Sequence, residues 1–221
     1  MKIIKNSLKA VSYAGVLQLS SLIKLSFVIG SQMIWFSGIN AVLPLVGAFG
    51  GIAGCGIVFL IRQLIHLFFF KTISLSFLAF CIPGFCASLY WATHSYMVRL
   101  MLPVVCMMLF ILHPIGGQVW VYSLYWLIPV LLYFIPHRPL FLQALGSTFI
   151  AHAVGSVIWL YTVPMTINQF ILLMPLVFFE RILFAMGMVI AYRIFSFIFS
   201  AIDAMAIENK KIKCDKKYEI V

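Results

Sequence analysis

The stretch that decides the fold class is residues 168–201, NQFILLMPLVFFERILFAMGMVIAYRIFSFIFSA. It holds one acid, Glu180, among apolar runs, and it exceeds the about 20 residues with which an apolar helix crosses a bilayer. The whole chain has this character: 64% of its 221 residues are hydrophobic, 9% are charged and the mean hydropathy is +1.13. Since a soluble domain carries about 25% charged residues, the sequence predicts an integral membrane protein. It excludes a soluble enzyme, a nucleic-acid-binding module and a disordered chain.

The net charge of +10 is arranged as an orientation signal. Residues 1–202 hold ten basic groups and one acid, whereas residues 203–221 hold five lysines and four acids. The basic groups lie at both termini and between apolar runs, as in the positive cytoplasmic loops of membrane proteins. We therefore predict one transmembrane domain over 1–202 and a basic cytoplasmic tail over 203–221. Both termini are expected on the cytoplasmic side of the inner (plasma) membrane, with lipid and not nucleic acid as the surrounding partner.

The chain lacks the motifs of the common catalytic and metal centres. Its five cysteines have no metal or redox spacing, and neither H-E-x-x-H, G-x-S-x-G nor a Walker loop is present. We therefore predict no metal, no cofactor and no enzymatic activity, and the chain does not itself hydrolyse nucleotide to energise transport. The basic start MKIIKNSLK resembles a signal peptide, but Lys24 interrupts the following run. No small-x-small cleavage site follows, so we expect this segment to stay in the protein.

Two cytoplasmic termini require an even number of crossings, and six fit the apolar runs. The fold class predicted is thus an all-α bundle of six transmembrane helices, with a broken or re-entrant segment around 100–118. The crossings are expected within Ala10–Trp35, within Asn40–Phe70, over Ile73–Ala92, over Leu100–Ile135 as one net crossing, over Leu140–Val163 and over Asn168–Ala201. In the second, Pro44 and the glycines suggest a loop or bend before the helix proper.

Small residues four apart predict seams where helices pack closely together. They occur as Gly47-x3-Gly51 and Gly50-x3-Gly54 in the second crossing and as Ser147-x3-Ala151-x3-Gly155 in the fifth.

The fourth of these crossings is the least regular. Leu100–Leu112 has 13 residues, about 20 Å of helix, which is shorter than about 30 Å of hydrocarbon. The sequence His113-Pro114-Ile115-Gly116-Gly117 then favours a break. A full crossing at Leu100–Leu112 would make seven, and seven remains the alternative. With six crossings, Lys71 and Arg138 lie in cytoplasmic loops and Arg99 lies outside.

Glu180 is the one acid of the first 202 residues, and it lies 12 residues into the last crossing, near the midplane. A charge at this depth costs about 3 kcal/mol and needs a partner, a proton or a function. The adjacent Arg181 is predicted to be a poor partner, because neighbours on a helix project in different directions. His152 and Arg62 are the preferred partners. A structural ion pair and a ligand site or proton relay both fit this pattern.

Aromatic side chains follow the predicted break at His113. Trp120, Tyr122, Tyr125 and Trp126 fit either the aromatic belt of a membrane interface or the wall of a ligand pocket. Tyr122 and Trp126 share one helical face, since they are four residues apart.

Two motifs in this frame resemble the substrate-binding S component of energy-coupling factor (ECF) vitamin transporters. Ala10-Val11-Ser12-Tyr13-Ala14 matches the A-x-x-x-A of the family's first helix, and PLVGAFGGIAG at 44–54 resembles the opening of its second. The resemblance implies six helices, with Ala10 and Ala14 docking on a transmembrane coupling subunit that works with ATPases. It also implies a vitamin-like ligand in the outer half of the bundle. The predicted break adds His113, and the one acid of the crossings adds Glu180. The candidate ligand-binding residues are then Asn40, His113, Trp120, Tyr122, Trp126, His152, Asn168 and Glu180.

Three functions remain open from the sequence. The first is a small-molecule binding and uptake protein, for a vitamin or a precursor, energised by a partner ATPase complex. The second is a stand-alone carrier in which Glu180 and His152 couple transport to protons. The third is a structural or assembly protein of the membrane without a ligand.

Overall fold

The computed structural model describes residues 9, 12–17, 19–20, 22, 24–27, 35–71 and 75–218, with most of their side chains up to residue 205. The strands are β1 (Lys24–Phe27) and β2 (Trp35–Ser37), an antiparallel pair. The helices are α1 (Ile39–Val42), α2 (Val46–Phe70), α3 (Leu75–Ala92), α4 (Leu102–Leu112), α5 (Pro114–Gln118), α6 (Leu127–Tyr133), α7 (Leu140–Thr162) and α8 (Ile167–Tyr218). Short 3₁₀ helices at Leu43–Leu45 and Trp120–Trp126 and a π-helical segment at Met97–Met101 lie between them.

Long apolar helices dominate the described part of the chain. Three are long and apolar enough to cross a membrane, namely Ile39–Phe69, which is interrupted at Gly51, Leu140–Thr162 and Ile167–Met205. Shorter apolar helical stretches cover Cys81–Ala92, Met97–Leu112 and Trp120–Tyr133. Large apolar side chains such as Leu60 (60% exposed) and Phe197 (75% exposed) point away from the protein. Such side chains prefer hydrocarbon to water, so this surface faces lipid. The lipid-facing surface and the α-helical character, which one strand pair interrupts, both agree with the prediction from the sequence.

The first predicted crossing, Ala10–Trp35, is wrong as a continuous helix. Its described part is helical at 12–17 and 19–20, but Lys24–Phe27 forms a strand. The Ser20 hydroxyl donates to the Leu17 carbonyl at 2.7 Å, a local bond that competes with helix continuation. Tyr13 anchors the helical part by donating to the Val42 carbonyl at 2.6 Å.

Helix α2 has two arms that meet at Gly51. The backbone of Gly51 has φ 60° and ψ −163°, a conformation that glycine adopts without a steric penalty from Cβ. The turn brings Gly54 against Val46, since a Cβ built on Gly54 would lie 3.6 Å from the Val46 side chain. In a straight helix, positions eight residues apart are about 12 Å apart. The chain therefore reverses at Gly51.

Helix α3 packs against both arms of α2. Before the reversal, a Cβ on Gly47 would overlap the Ser88 carbonyl, and the Ser88 hydroxyl donates to the Leu43 carbonyl at 3.2 Å. After it, the Phe59 and Phe85 rings lie 4.9 Å apart. The first arm thus runs parallel to α3 and the second arm antiparallel to it. Gly47 is a seam between helices as its spacing indicated, whereas Gly51 forms the turn.

Residues 97–133 form a helical hairpin and not one net crossing. The Tyr161 hydroxyl donates to the Leu109 carbonyl at 2.9 Å, so α4 ends beside the end of α7. The chain turns at Gly116, whose absent Cβ would overlap the Phe110 carbonyl. It then returns until the Tyr133 ring lies 6.5 Å from that of Tyr96. The predicted single crossing over Leu100–Ile135 is corrected accordingly, although the break lies where it was expected.

The hairpin places two arginines at one end of the bundle, which we call the basic end and define by the loops 93–96 and 134–139. Arg99 donates to the Tyr90 carbonyl at 2.7 Å, and Arg138 donates to the Tyr90 hydroxyl at 3.3 Å. The two arginines also act on His94 in the 93–96 loop. The pKa of His94 is lowered, mainly by the charge of Arg99, then by partial burial and then by the charge of Arg138. The prediction that Arg99 and Arg138 lie at opposite ends is therefore wrong. The prediction that Lys71 shares a side with Arg138 is also wrong, because Lys71 precedes the start of α3 and Arg138 contacts its end. Residue 113 and the loop 163–166 form the opposite end of the bundle.

Arg99 is fully buried, and it stabilises the C-terminal end of α3. Its guanidinium donates to the carbonyls of Tyr90 and Thr93 and to the Gln143 side chain, at 2.7, 3.0 and 3.2 Å. It also lies 4.2 Å from the centre of the Tyr90 ring. A cation at a helix C-terminus is stabilised by the carbonyls that the helix leaves without partners. Arg99 thus has a structural role that the sequence did not reveal.

Helices α3 and α7 pack closely against each other in the bundle. The Ser147 hydroxyl of α7 donates to the Ala87 carbonyl of α3 at 3.0 Å, in line with the predicted small-residue seam. Helix α8 continues unbroken across the expected domain boundary at 202/203. Near it, Lys9 forms an ion pair with Asp203 at 2.6 Å.

Candidate functional site

Four side chains share hydrogen bonds between the 97–133 hairpin and α7, and we call them the histidine centre: Tyr122, Trp126, His152 and Ser156. The Tyr122 hydroxyl lies 2.8 Å from His152 Nε2, and Trp126 Nε1 donates to His152 Nδ1 at 3.0 Å. The Ser156 hydroxyl lies 3.2 Å from Nε2 and 3.4 Å from the Tyr122 hydroxyl. His152 therefore connects two rings of the hairpin with the next turn of its own helix.

The hydrogen bond from Trp126 fixes the tautomer of His152. An indole N–H only donates, so Nδ1 accepts and carries no proton. The imidazole is then neutral, with its proton on Nε2, where the hydroxyls of Tyr122 and Ser156 compete as acceptors. Because hydroxyls both donate and accept, these two groups can reorient when a third polar molecule approaches. The centre thus offers a donor and acceptors at one point of an apolar bundle.

Aromatic rings enclose the histidine centre. The Phe110 ring is stacked on Tyr122 at 5.5 Å and stands edge-on to Trp126 at 5.2 Å. Phe170 of α8 stands edge-on to Tyr122 at 5.2 Å. Trp126 is fully buried and Tyr122 is 3% exposed, whereas His152 is partly exposed. Offset and edge-on contacts of this kind hold rings in fixed orientations, so the donors and acceptors of the centre are preorganised.

The local backbone explains why these rings point inwards. Residues Trp120–Trp126 form a 3₁₀ helix, which has about three residues per turn. Tyr122 and Tyr125 therefore lie on one side, where the Tyr125 hydroxyl donates to the Met174 carbonyl of α8 at 3.0 Å. Trp120 lies on a second side with Ser123 and Trp126, where Trp120 at the start is 50% exposed and Trp126 at the end is fully buried. The predicted common helical face of Tyr122 and Trp126 is therefore wrong, although both side chains reach His152. On α7, His152 and Ser156 share a face because they are four residues apart.

A buried ion pair lies close to the histidine centre on α8. Arg181 Nη2 lies 3.3 Å from Glu180 Oε2, and each residue is 7% exposed. The Arg181 guanidinium also lies 4.9 Å from the centre of the Phe184 ring. Both charges are within electrostatic range of Tyr122, and Arg181 is within range of His152.

The predicted partners of Glu180 are thus corrected. We expected His152 or Arg62 to neutralise it and the adjacent Arg181 to be a poor partner, but Arg181 forms the ion pair. Adjacent Cα–Cβ bonds do diverge, yet the long arginine side chain bends back far enough to reach the carboxylate. The hydrogen bonds of His152 go instead to Tyr122, Trp126 and Ser156.

The other candidate ligand-binding residues lie elsewhere. Asn40 and Asn168 are exposed near the starts of α1 and α8, and Trp120 is half-exposed. His113 caps α5 by accepting a hydrogen bond from the Ile115 amide at 3.2 Å, and its ring stands 4.9 Å from Tyr161. The structure brings together Tyr122, Trp126 and His152, with Glu180 close by. It does not bring these four other residues to the same point.

The proposed docking residues are only partly described. Ala14 is exposed on the short helical part at 12–17, whereas Ala10 lies outside the described residues.

Three members of the site were missed from the sequence. Ser156 could have been found, because it stands four residues after His152 on a predicted helix. Phe110 and Phe170 carry no local signal, since their positions depend on the reversal at Gly116 and on the packing of α8.

No protein-family model, curated protein or solved structure matches the chain. What the histidine centre does therefore follows from its own side chains. A neutral imidazole, two hydroxyls and an indole N–H are suited to hold a small polar molecule by hydrogen bonds. The surrounding rings are suited to pack against a flat, largely apolar one.

Proposed function

We propose that the chain is a multi-pass membrane protein that binds a small, partly polar and ring-containing molecule at the histidine centre for uptake. The observation that carries this is the convergence of Tyr122, Trp126, His152 and Ser156 on one point beside an interrupted helix. Interrupted helices supply the polar groups of binding sites in many membrane carriers. A ligand would exchange the internal hydrogen bonds of the centre for its own.

A partner supplies the energy in this proposal. The chain has no nucleotide-binding motif, and its buried acid Glu180 is paired with Arg181. A carboxylate relay also needs a second acid, and residues 1–202 hold none besides Glu180. We therefore place the chain with the S components of energy-coupling factor transporters, which a coupling subunit and ATPases energise. In this role it is a binding protein for a vitamin or a precursor and not an enzyme.

The test of binding is native mass spectrometry of the protein purified in mild detergent. We expect a copurifying small molecule in the wild type and its loss in Tyr122→Phe, which removes one hydroxyl but keeps the ring. The matched control is Tyr161→Phe, because its hydroxyl donates to the Leu109 carbonyl and takes no part in the histidine centre. Equal occupancy in both variants, or an empty wild type that shows no uptake with a coexpressed coupling complex, would refute the proposal.

The topology that we propose has six crossings, with the basic end in the cytoplasm of a bacterial-type plasma membrane. The segments 52–70, 75–92, 97–112, 114–133, 140–162 and 167–205 alternate in direction between the two ends. The first arm of α2 and the segment before it return to the same side, so the number stays even. Arg99, Arg138 and Lys9 then share the side of the basic tail, which agrees with the positive-inside rule, whereas Lys71 lies on the outer side.

Cysteine labelling tests this topology. We expect His94→Cys and His137→Cys, both at exposed loop positions, to react with an impermeant maleimide only after cells are permeabilised. Thr166→Cys at the opposite end is the control, and it should react in intact cells. Reaction of His94→Cys but not His137→Cys in intact cells would contradict the hairpin and favour one net crossing over 100–135.

A further inference from the structure

The basic end carries positive charge that no acid of its loops balances. Arg99 is fully buried and Arg138 is partly exposed, whereas His94 and His137 are exposed on the two loops. The loops 93–96 and 134–139 contain no aspartate or glutamate. Among the residues that the structure describes, neither arginine forms an ion pair. This end of the bundle is therefore suited to a partner of negative charge.

Arg138 is held in place by two hydrogen bonds that use only part of its guanidinium. Its Nε donates to the Ile135 carbonyl at 3.0 Å, and its Nη1 donates to the Tyr90 hydroxyl at 3.3 Å. A guanidinium has five N–H groups, and within the described part of the chain Nη2 has no hydrogen-bond partner. Nη1 and Nη2 thus each retain an N–H, and such a pair of donors binds two oxygens of one phosphate.

Arg99 contributes charge to this end but no free pair of donors. All three of its guanidinium nitrogens donate to acceptors of the protein, namely the carbonyls of Thr93 and Tyr90 and the side chain of Gln143. Its field nevertheless reaches the loop surface, because the charge of Arg99, partial burial and the charge of Arg138 together lower the pKa of His94. An anion at Arg138 is therefore attracted by both arginines.

Apolar side chains flank the basic end on both loops. Phe134 and Ile135 are 68% and 40% exposed, and Tyr96 and Met97 are 48% and 66% exposed. Because such side chains prefer hydrocarbon to water, the acyl region of a bilayer reaches the level of these residues. The phosphates of the lipid headgroups then lie next to Arg138. A soluble phosphate gains nothing from these four side chains, whereas a phospholipid contacts them with its chains.

We propose that the basic end binds one anionic diacyl phospholipid, with its phosphate on Arg138 and its acyl chains against the exposed apolar side chains of the two loops. Basic pockets on the cytoplasmic side of membrane proteins bind anionic headgroups in this way. A headgroup of net negative charge is favoured over a zwitterionic one, because the loops offer no acid to an ammonium group. This site does not depend on the histidine centre or on its ligand.

Native mass spectrometry of the delipidated full-length protein, titrated with phospholipids of equal acyl chains, tests the proposal. We expect the first phosphatidylglycerol to bind about tenfold more tightly than phosphatidylcholine, since hydrogen bonds between charged groups are strong. Arg138→Gln should lower the affinity for phosphatidylglycerol to that for phosphatidylcholine. Arg138→Lys keeps the charge but not the paired donors, so it should retain only part of the preference.

Two control variants separate this site from a general attraction to basic residues and from the histidine centre. Arg193→Gln removes an exposed arginine of α8 near the same end, since the neighbouring Tyr192 ring lies 5.7 Å from Trp91 of α3. It should bind phosphatidylglycerol as the wild type does, and so should Tyr122→Phe. Equal losses in Arg138→Gln and Arg193→Gln would overturn the proposal.

Competition on the wild type tests the source of the phosphate without any substitution. We expect glycerol 3-phosphate and inorganic phosphate to displace phosphatidylglycerol only at much higher concentrations, because they lack acyl chains. Displacement at equal concentration would overturn the proposal in favour of a soluble phosphate. Equal affinities of the wild type for phosphatidylglycerol and phosphatidylcholine would overturn it as well.

Titration of His94, followed by NMR in lipid nanodiscs, gives a readout that a purely structural role of Arg138 does not move. We expect the pKa of His94 to rise when phosphatidylglycerol replaces phosphatidylcholine. The bound phosphate offsets the charge of Arg99, which is the main cause of the lowered pKa, and that of Arg138. Arg138→Gln experiences the same surface potential of the nanodisc but should show a much smaller rise. Equal rises in both proteins would contradict binding at Arg138.

Discussion

Replacing Glu180 with leucine is expected to lower the free energy of unfolding by about 3–5 kcal/mol, because it removes the carboxylate that neutralises a buried guanidinium. Arg181 lies 3.3 Å from that carboxylate, and both residues are 7% exposed. The charge of Arg181 then has to be solvated inside the bundle or move towards an end. Thermal and denaturant unfolding in detergent, followed by the intrinsic fluorescence of the protein, measures the loss.

The double variant Glu180→Leu with Arg181→Leu is the decisive comparison. Because it removes both charges and keeps apolar volume, we expect it to recover most of the stability that the single variant loses. Arg193→Leu, at an exposed position of the same helix, should change stability little. A double variant as unstable as the single one would show that Glu180 contributes through other contacts and not through the ion pair.

Replacing Trp126 with alanine is the second change with a large expected effect. Its side chain is fully buried, its ring stands 5.2 Å from Phe110 edge-on, and its N–H donates to His152 Nδ1 at 3.0 Å. Removing a buried tryptophan side chain costs about 3–5 kcal/mol through lost burial and the cavity that remains. It also frees Nδ1, so the tautomer of His152 is no longer fixed. Both stability and ligand binding should therefore fall.

Two controls separate packing from hydrogen bonding at Trp126. Trp120→Ala changes the same residue type six positions earlier, but this side chain is 50% exposed and should cost little. Trp126→Phe keeps an aromatic ring and removes the N–H, so we expect most of the stability to return while ligand binding stays impaired. If Trp120→Ala and Trp126→Ala destabilise the protein equally, the hairpin does not turn Trp126 inwards as described.

The regular helices were predictable because hydrophobic length alone defines them. Helix α7 begins at Leu140, as predicted, and ends one residue before the predicted limit. Helix α8 begins one residue before its predicted start. Both begin after a proline-containing loop, and the apolar run that follows matches the thickness of a bilayer. The composition and length of the apolar runs are therefore sufficient to predict helices α7 and α8.

The two chain reversals were not predictable in the same way. The break at His113 and Pro114 was found, but the direction of the chain after it depends on Gly116, which packs on the Phe110 backbone only in the folded hairpin. The helical stretch before the break also begins at Met97 and not at Leu100, which makes it longer than the apolar run indicated. At Gly51 the spacing of small residues resembles a helix seam, whereas the backbone uses this glycine for a turn.

The sequence predicted some residues of the histidine centre but not how all the candidate residues are arranged in the fold. Tyr122 and Trp126 were selected as aromatic residues beside the predicted break, and His152 as a partner of Glu180; these three side chains meet at one point. Asn40 and Asn168 came from a family resemblance, and both side chains are exposed, although Asn168 lies only two residues before Phe170 of the site. The pairing of Glu180 was wrong because helix geometry fixes Cβ directions but not the reach of a long side chain.

Electron cryo-microscopy of the full-length protein in lipid nanodiscs, purified without added ligand, tests binding at the histidine centre most directly. We predict density for a small molecule within hydrogen-bonding distance of the Tyr122 hydroxyl and the His152 ring, with rings of the hairpin against its apolar part. An arrangement in which Tyr122, Trp126 and Ser156 keep their bonds to His152, while a bound molecule occupies another place in the protein, would contradict it.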